Sequence, residues 1–381
     1  MFSKDHFINN ISLAVTAFIS GIYFFKYISI YIGVWSFVIT VAYLIAFIIL
    51  FIGLDRIHTE KFMWLTRRKL ALIISFIIIC AFVYITFVPR FGRIGRLPAI
   101  ADWLDRLFAG KYPYNSAILP SGFPVLFFLS IPFYLIKNIG YLEVLGLGIF
   151  LFLILNTSKS PKENIVKLVI ALICPVIMYE VVVRSELLGN MALTIMIILL
   201  AEKYLDEEKL NLKFFLFAIL FGLVLSTRSV VGLTYIIYLP YKFRYELLKG
   251  AAFTIIIITA FLLTLIPFIA WNSNAFFLYG PFAVQSIVSF IPMWLVMLVI
   301  VAALITSWGV SDIQEVFFAS GIFLFLPAFF SMVHKFFAFG AYNSIVFDRF
   351  DISYLIFCMP FFILSLKDYK VDKFLRKVLE D

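Results

Sequence analysis

A few short polar stretches interrupt an otherwise apolar chain, and they hold the residues able to do chemistry. The first runs from Arg96 through Asp102, Asp105 and Arg106 to Gly110-Lys111-Tyr112-Pro113-Tyr114. A carboxylate such as Asp102 or Asp105 could take a proton from a hydroxyl. The second is Glu180-Val-Val-Val-Arg184-Ser185-Glu186-Leu-Leu-Gly189-Asn190. Glu186 and Asn190 enter an apolar helix there on neighbouring faces, where a polar side chain needs a partner. The third, Ser226-Thr227-Arg228-Ser229, splits an apolar hairpin. An arginine at that depth suits a phosphate, because its planar fork grips two oxygens. The fourth is His334-Lys335 with Asp348-Arg349-Phe350-Asp351, which adds cations. Together they offer a base (Asp102, Asp105 or Glu186) and a cationic set for an anionic headgroup (Arg96, Arg184, Arg228, His334, Lys335, Arg349). Tyr114 and Asn190 are the neutral polar groups beside them.

The elements that must position these groups are set by composition. Of 381 residues 64% are hydrophobic and only 14% charged, against about 25% charged in soluble domains. That excludes a water-soluble globule. The apolar runs are continuous, without the in-and-out alternation of about ten-residue strands that a barrel requires. They lie near 7–25, 32–53, 71–88, 118–136, 138–156, 165–183, 187–202, 214–227, 229–241, 250–270, 286–306, 313–333 and 352–366. The fold expected is all-α and polytopic, with about twelve transmembrane helices of the usual ~20 residues plus a re-entrant or interfacial segment. Residues 1–381 read as one transmembrane domain. Within it, 7–70 form an extra N-terminal helix pair, 89–117 the first large outer loop, and 367–381 a basic tail.

Net charge is +9, from 31 Lys+Arg against 22 Asp+Glu. Basic clusters at 54–70, 157–167, 203–213, 242–249 and 367–381, with Lys4, are placed in the cytoplasm by the positive-inside rule. Both termini are then cytoplasmic, in a cell (inner or plasma) membrane, and the four polar stretches face outward. The segment 118–136, with Pro120, Pro124 and Pro132, is the one expected to be re-entrant. The first apolar run is read as an anchor, since no small-residue cleavage site follows it. In loop 89–117, Leu97, Ile100, Ala101, Leu104, Leu107 and Phe108 recur at helical spacing opposite Asp102, Asp105 and Arg106. That predicts an amphipathic helix able to lie in the outer interface. Trp103, Trp271 and Trp308 fall at segment ends, where an interfacial belt is expected.

Other chemistries lack their signatures. Cys80, Cys174 and Cys358 sit in apolar runs with no paired spacing, and the three histidines are scattered, so neither a disulfide framework nor a zinc site is indicated. There is no P-loop, dinucleotide fingerprint or HExxH motif. Ser121-Gly122-Phe123 lacks the flanks of a nucleophile elbow. No nucleic-acid partner is indicated.

The run from Asp102 to Tyr114, followed by Pro120-Ser-Gly-Phe-Pro124, resembles the first outer loop of GT-C membrane glycosyltransferases, the polyprenol- and glycolipid-mannosyltransferase branches most of all. Arg184-Ser-Glu186 to Gly189-Asn190 is similar to their second outer loop. The stretch Asn272 to Phe282 with Gln285 resembles a later one, and Arg349 before the Pro360-containing helix also fits. The resemblance implies a polyprenyl-phosphate sugar donor, a glycan or lipid acceptor on the extracytoplasmic side, membrane lipids as surroundings and inverting transfer. It implies a base in the first outer loop; some members of the fold use a divalent ion and others do not, and with no obvious acid cluster in this chain no obligatory metal cofactor is expected. Where the family often places its acid, this chain has Arg90-Phe-Gly-Arg93-Ile-Gly-Arg96, which leaves Asp102, Asp105 or Glu186 as the base. Two other classes share the basic cavity: a glycolipid transporter or flippase without a proton-abstracting acid, and an O-antigen-polymerase-like enzyme.

Overall fold

The computed structural model describes residues 4–56, 62, 64–89, 96–116, 118–205, 210–289 and 291–367. It is 82% helix, with no strand among the described residues. In chain order the helices are α1 (Lys4–Ile32), α2 (Trp35–Arg56), α3 (Arg67–Phe87), α4 (Arg96–Phe108), α5 (Pro124–Leu135) and α6 (Tyr141–Thr157). There follow α7 (Pro161–Ile173), α8 (Pro175–Val183), α9 (Leu187–Tyr204), α10 (Leu212–Leu225), α11 (Val231–Lys242) and α12 (Leu247–Trp271). The last are α13 (Ser273–Tyr279), α14 (Pro281–Ser289), α15 (Met293–Trp308), α16 (Ile313–Phe339), α17 (Ala341–Val346), a 3₁₀ segment (Ile352–Cys358) and α18 (Met359–Ser365). Arg90, Arg93, Lys209 and the basic tail beyond Lys367 lie outside the described residues.

Each apolar run of the sequence contributes to a helix, and the chain is a membrane protein. Six helices (α1, α2, α3, α9, α12, α16) are long and apolar enough to cross a bilayer, or seven if α7 and α8, bent by 58° at their junction, count as one span. Proline sets that junction. Pro175 cannot continue α7, and the backbone before a proline is pushed toward extended geometry, as Cys174 shows at ψ 112°. Proline also opens α5, at Pro124, so this helix has 12 residues and a length of about 18 Å at ~1.5 Å per residue. A hydrocarbon core is about 30 Å thick. Apolar run length and helix length therefore part company wherever proline, glycine or a polar cap cuts the run.

The chain divides into two compact units. One comprises residues 1–77, 151–179 and 311–381. Its interior is the 3₁₀ segment and α18, whose residues are almost all buried. Ser160 caps α7, accepting from the Glu163 amide at 3.1 Å, with Pro161 at the first helical position. One turn on, Lys167 donates to Glu163 at 2.6 Å and to the Leu364 carbonyl at 3.2 Å, both side chains fully buried. At one end Lys4 pairs with Glu315 at 2.7 Å, and Lys367 reaches Asp312 at 2.5 Å and Asp5 at 3.1 Å. Residues near the start and the end of the described chain are thus bonded to one another.

The other unit comprises 78–150 and 180–310. Its helices meet at glycine. A Cβ on Gly146 of α6 would lie 2.4 Å from the Gly189 Cα of α9, and one on Gly222 of α10 would lie 2.6 Å from the Ile257 carbonyl of α12. Only an absent side chain allows so close an approach. An aromatic core gathers around α4, which buries Ala99, Ile100, Trp103 and Leu104. Trp103 stacks on Phe127 at 4.2 Å and meets Tyr114 edge-on at 5.8 Å. The expected amphipathic helix is therefore present, but its apolar stripe packs against protein. Trp103 is fully buried instead of joining an interfacial belt. Trp271 and Trp308 remain about half exposed.

Candidate functional site

The site is built from one loop and the helix ends around it. Residues 109–123 link α4 to α5, and α4 ends in a two-bond glycine cap: the Gly110 amide donates to Leu107 O at 3.1 Å and that of Lys111 to Arg106 O at 2.8 Å. Gly110 has φ +67°, where glycine carries no steric penalty. The loop then turns inward. Tyr114 is fully buried and its hydroxyl donates to Gly122 O at 3.4 Å. Burial pushes this phenol well above its usual range, so it stays a neutral donor. Tyr112, which donates to Phe268 O at 3.2 Å, is pushed up to about 12 by burial. The structure places Tyr114 in the aromatic core, holding the loop, and outside the cation cluster described next.

The loop is pinned at two points. Ser116 donates to the Oδ2 of Asp102, which also accepts from Arg106 Nε at 3.4 Å. Five residues on, Ser121 Oγ accepts from Arg228 Nη1 at 2.8 Å, and its carbonyl accepts from Gln285 at 2.7 Å. Ser229 in turn donates to Gln285. Two backbone bonds, from Phe123 to Thr227 O at 3.2 Å and from Val125 to Ser226 O at 3.1 Å, clamp the start of α5 onto the Ser226–Ser229 turn.

Arg228 is 4% exposed and faces inward, so it does not snorkel to the headgroups. Its Nη2 donates to Glu186 Oε1, and Arg96 Nε stands 4.0 Å from the same oxygen. Arg96, Glu186 and Arg228, which lie far apart in the chain, thus form one cluster. Asn190 is buried one turn after Glu186 on α9, and its amide nitrogen has no hydrogen-bond partner among the described residues. Glu143 and Glu180 are buried as well, and with Glu186 they form a mutually interacting set of carboxylates. Neither oxygen of Glu143 has a hydrogen-bond partner among the described residues. Arg184 ends α8 with φ +60°: its amide donates to Val181 O and the Ser185 amide to Glu180 O at 3.0 Å. This is the same cap as at Gly110 with an arginine in the glycine position, at a cost of about 1–2 kcal/mol. Its guanidinium donates to Val88 O, away from the Glu186 cluster.

The remaining residues lie elsewhere. Asp105 is exposed and accepts from the Tyr134 hydroxyl. His334, Lys335 and Arg349 belong to the first unit. His334 is exposed and Lys335 buried, and the cations of Lys335 and Arg349 stand 5.3 Å and 5.6 Å from the Phe339 ring centroid. Ser116, Ser121, Ser229 and Gln285 are members of the site that residue types alone passed over. Ser229 carried a usable signal, being next to Arg228 in the same polar turn. Among the described residues no group of three or more His, Cys, Asp or Glu is arranged to hold a metal ion. No protein-family model matches the chain, and neither a curated protein nor a solved structure matches it.

Proposed function

We propose that the chain is a GT-C-type membrane glycosyltransferase that moves a sugar from a polyprenyl-phosphate donor to an extracytoplasmic glycan or lipid acceptor, with inversion. The observation that carries this reading is the double pinning of one loop, by Asp102 through Ser116 and by Arg228 through Ser121. A carboxylate and a buried cation are the two charges the reaction needs, and here a single short loop fixes both.

Asp102 is the base. Its side chain is 34% exposed, against 3% for Glu186, and a base must touch its substrate. It takes the acceptor hydroxyl proton while that oxygen attacks the anomeric carbon. The bond from that carbon to the phosphate oxygen breaks, and polyprenyl phosphate leaves with the electron pair. Arg228 and Arg96 stabilise the charge that builds on the leaving phosphate. Before the donor binds, Glu186 holds these two arginines in place, and no step requires a metal. In this reading the shorter apolar helices complete about twelve crossings. In this reading both termini lie on the cytoplasmic side of a cell membrane; the bond between Asp5 and Lys367 supports their sharing one side.

A second reading, a glycolipid transporter, is favoured by one observation: Arg228 and Glu186 neutralise each other in a closed, buried pair. The full chain reconstituted in vesicles with a panel of labelled polyprenyl-phosphate sugars separates the two. Release of polyprenyl phosphate is expected from the wild type, and Asp102→Asn should lower it about 10²–10⁴-fold while donor binding persists. Full turnover by Asp102→Asn removes Asp102 as the base. Movement of donor between leaflets with no sugar released favours the transporter.

A further inference from the structure

The Glu186–Arg228 pair leaves bonding capacity on both sides unused. An arginine fork can make two parallel bonds to a carboxylate or phosphate, but Arg228 makes one to Glu186, through Nη2, while Nη1 goes to Ser121. Arg228 Nε and Glu186 Oε2 are both buried and take no hydrogen-bond partner among the described residues. A buried donor left without a partner pays its desolvation without recovering it, so the pair stands short of its best arrangement. Glu186 occupies the residue before α9 yet makes no cap bond with its side chain. Turning away would cost that helix no cap, and would keep the carboxylate near the positive end of the helix dipole.

We propose that Glu186 is a latch. In the empty site its carboxylate fills the place of a phosphate, and a phosphate monoester or diester binds by displacing it from Arg228 and Arg96. The entering group brings oxygens enough to take Arg228 Nε and Nη2 together and to face Arg96. The ligand class rests on the function proposed above, while the latch itself rests on the geometry of the pair. A site closed by its own carboxylate binds more weakly by the fraction of time it is open. If it is open about one-tenth of the time, the apparent affinity is reduced about tenfold.

The test is a binding titration of the full chain in detergent micelles, with a short polyprenyl phosphate in one arm and inorganic phosphate in the other. Glu186→Gln should bind about tenfold more tightly than wild type. Arg228→Gln should lose binding, and the double variant should be as weak as Arg228→Gln. Tightening in both arms supports displacement at the headgroup itself; tightening in the lipid arm alone supports displacement driven with the help of the prenyl chain. Unchanged or weaker binding by folded Glu186→Gln overturns the latch. If that variant does not fold, Glu186→Asp keeps the charge on a shorter arm and should bind a few-fold more tightly; no change overturns the proposal. Tightening without sugar transfer from any donor would leave the latch and remove the transferase, and transfer without tightening would do the reverse.

Discussion

Among the described residues each compact unit has an ion pair with both side chains buried, and the two are built differently. Lys167 and Glu163 sit one turn apart on α7, and each takes a further partner: Lys167 also bonds the Leu364 carbonyl, and Glu163 also accepts from the Lys159 amide at 3.1 Å. Arg228 and Glu186 lie 42 residues apart and leave Nε and Oε2 without a hydrogen-bond partner among the described residues. A pair closed within one helix forms with that helix, and here the protein supplies further partners to both its groups. A pair assembled from two distant turns, with spare donors and acceptors, is a place where something else can bind. Burial alone would have ranked the two alike.

The largest effect that would break this contrast is on stability. Lys167→Met leaves Glu163 as a buried, uncompensated charge and should cost about 3–5 kcal/mol in denaturant unfolding in detergent. Phosphate-lipid affinity per folded molecule should not move. A loss of affinity there would erase the distinction between the pairs.

A smaller effect probes the support of the second pair. Gly146→Ala puts a methyl 2.4 Å from the Gly189 backbone and must push α6 and α9 apart, at about 1–3 kcal/mol. Because α9 directly follows Glu186 and carries Asn190, lipid affinity should fall together with the unfolding midpoint. A drop in stability with affinity intact would mean that the helix crossing does not position the cluster.

The smallest effect lies at the exposed rim of the first unit. Burial raises the Asp312 carboxyl, but the bonds from Lys367 and from the Glu315 amide outweigh it and hold the group below its ordinary 3.8. Its contribution is complete above that value and disappears as pH falls through the lower folded value. For Lys367 burial lowers the ammonium, and the bonds to Asp312 and Asp5 carry it above 10.5. That contribution is complete below 10.5 and is lost as pH rises through the higher folded value. Asp312 is 45% exposed, so the effect should be about 0–1 kcal/mol and should fade with added salt. Thermal unfolding followed against pH and salt checks both limbs, and a midpoint insensitive to either would show the network to be idle.

How much of this was legible from residues alone follows from what each feature depends on. The helices were, because continuous apolar runs have one solution in a bilayer. Their lengths were not, since Pro124 and Pro175 cut runs that composition treats as whole. The aromatic core was half legible. Trp103 falls three residues after Ile100 in the same stripe, but its size and its place near a segment end suggested a belt. Glu186, Arg228 and Arg96 could each be singled out as charges at an apolar boundary. Their meeting could not, because it depends on the fold of the 131 positions between Arg96 and Arg228. Gln285 and Ser121 act through their partners' geometry, and neither residue type announces that.

The double pinning of loop 109–123 also works as a ruler. Ser116 and Ser121 are five residues apart, and chain of that length cannot stretch beyond about 17 Å. A molecule that engages both seryl-held groups at once must fit within that span plus the reach of two side chains. The limit is one of length and not of chemistry. On the function proposed above, it favours a single transferred sugar lying between headgroup and acceptor over a long glycan handed across in one piece.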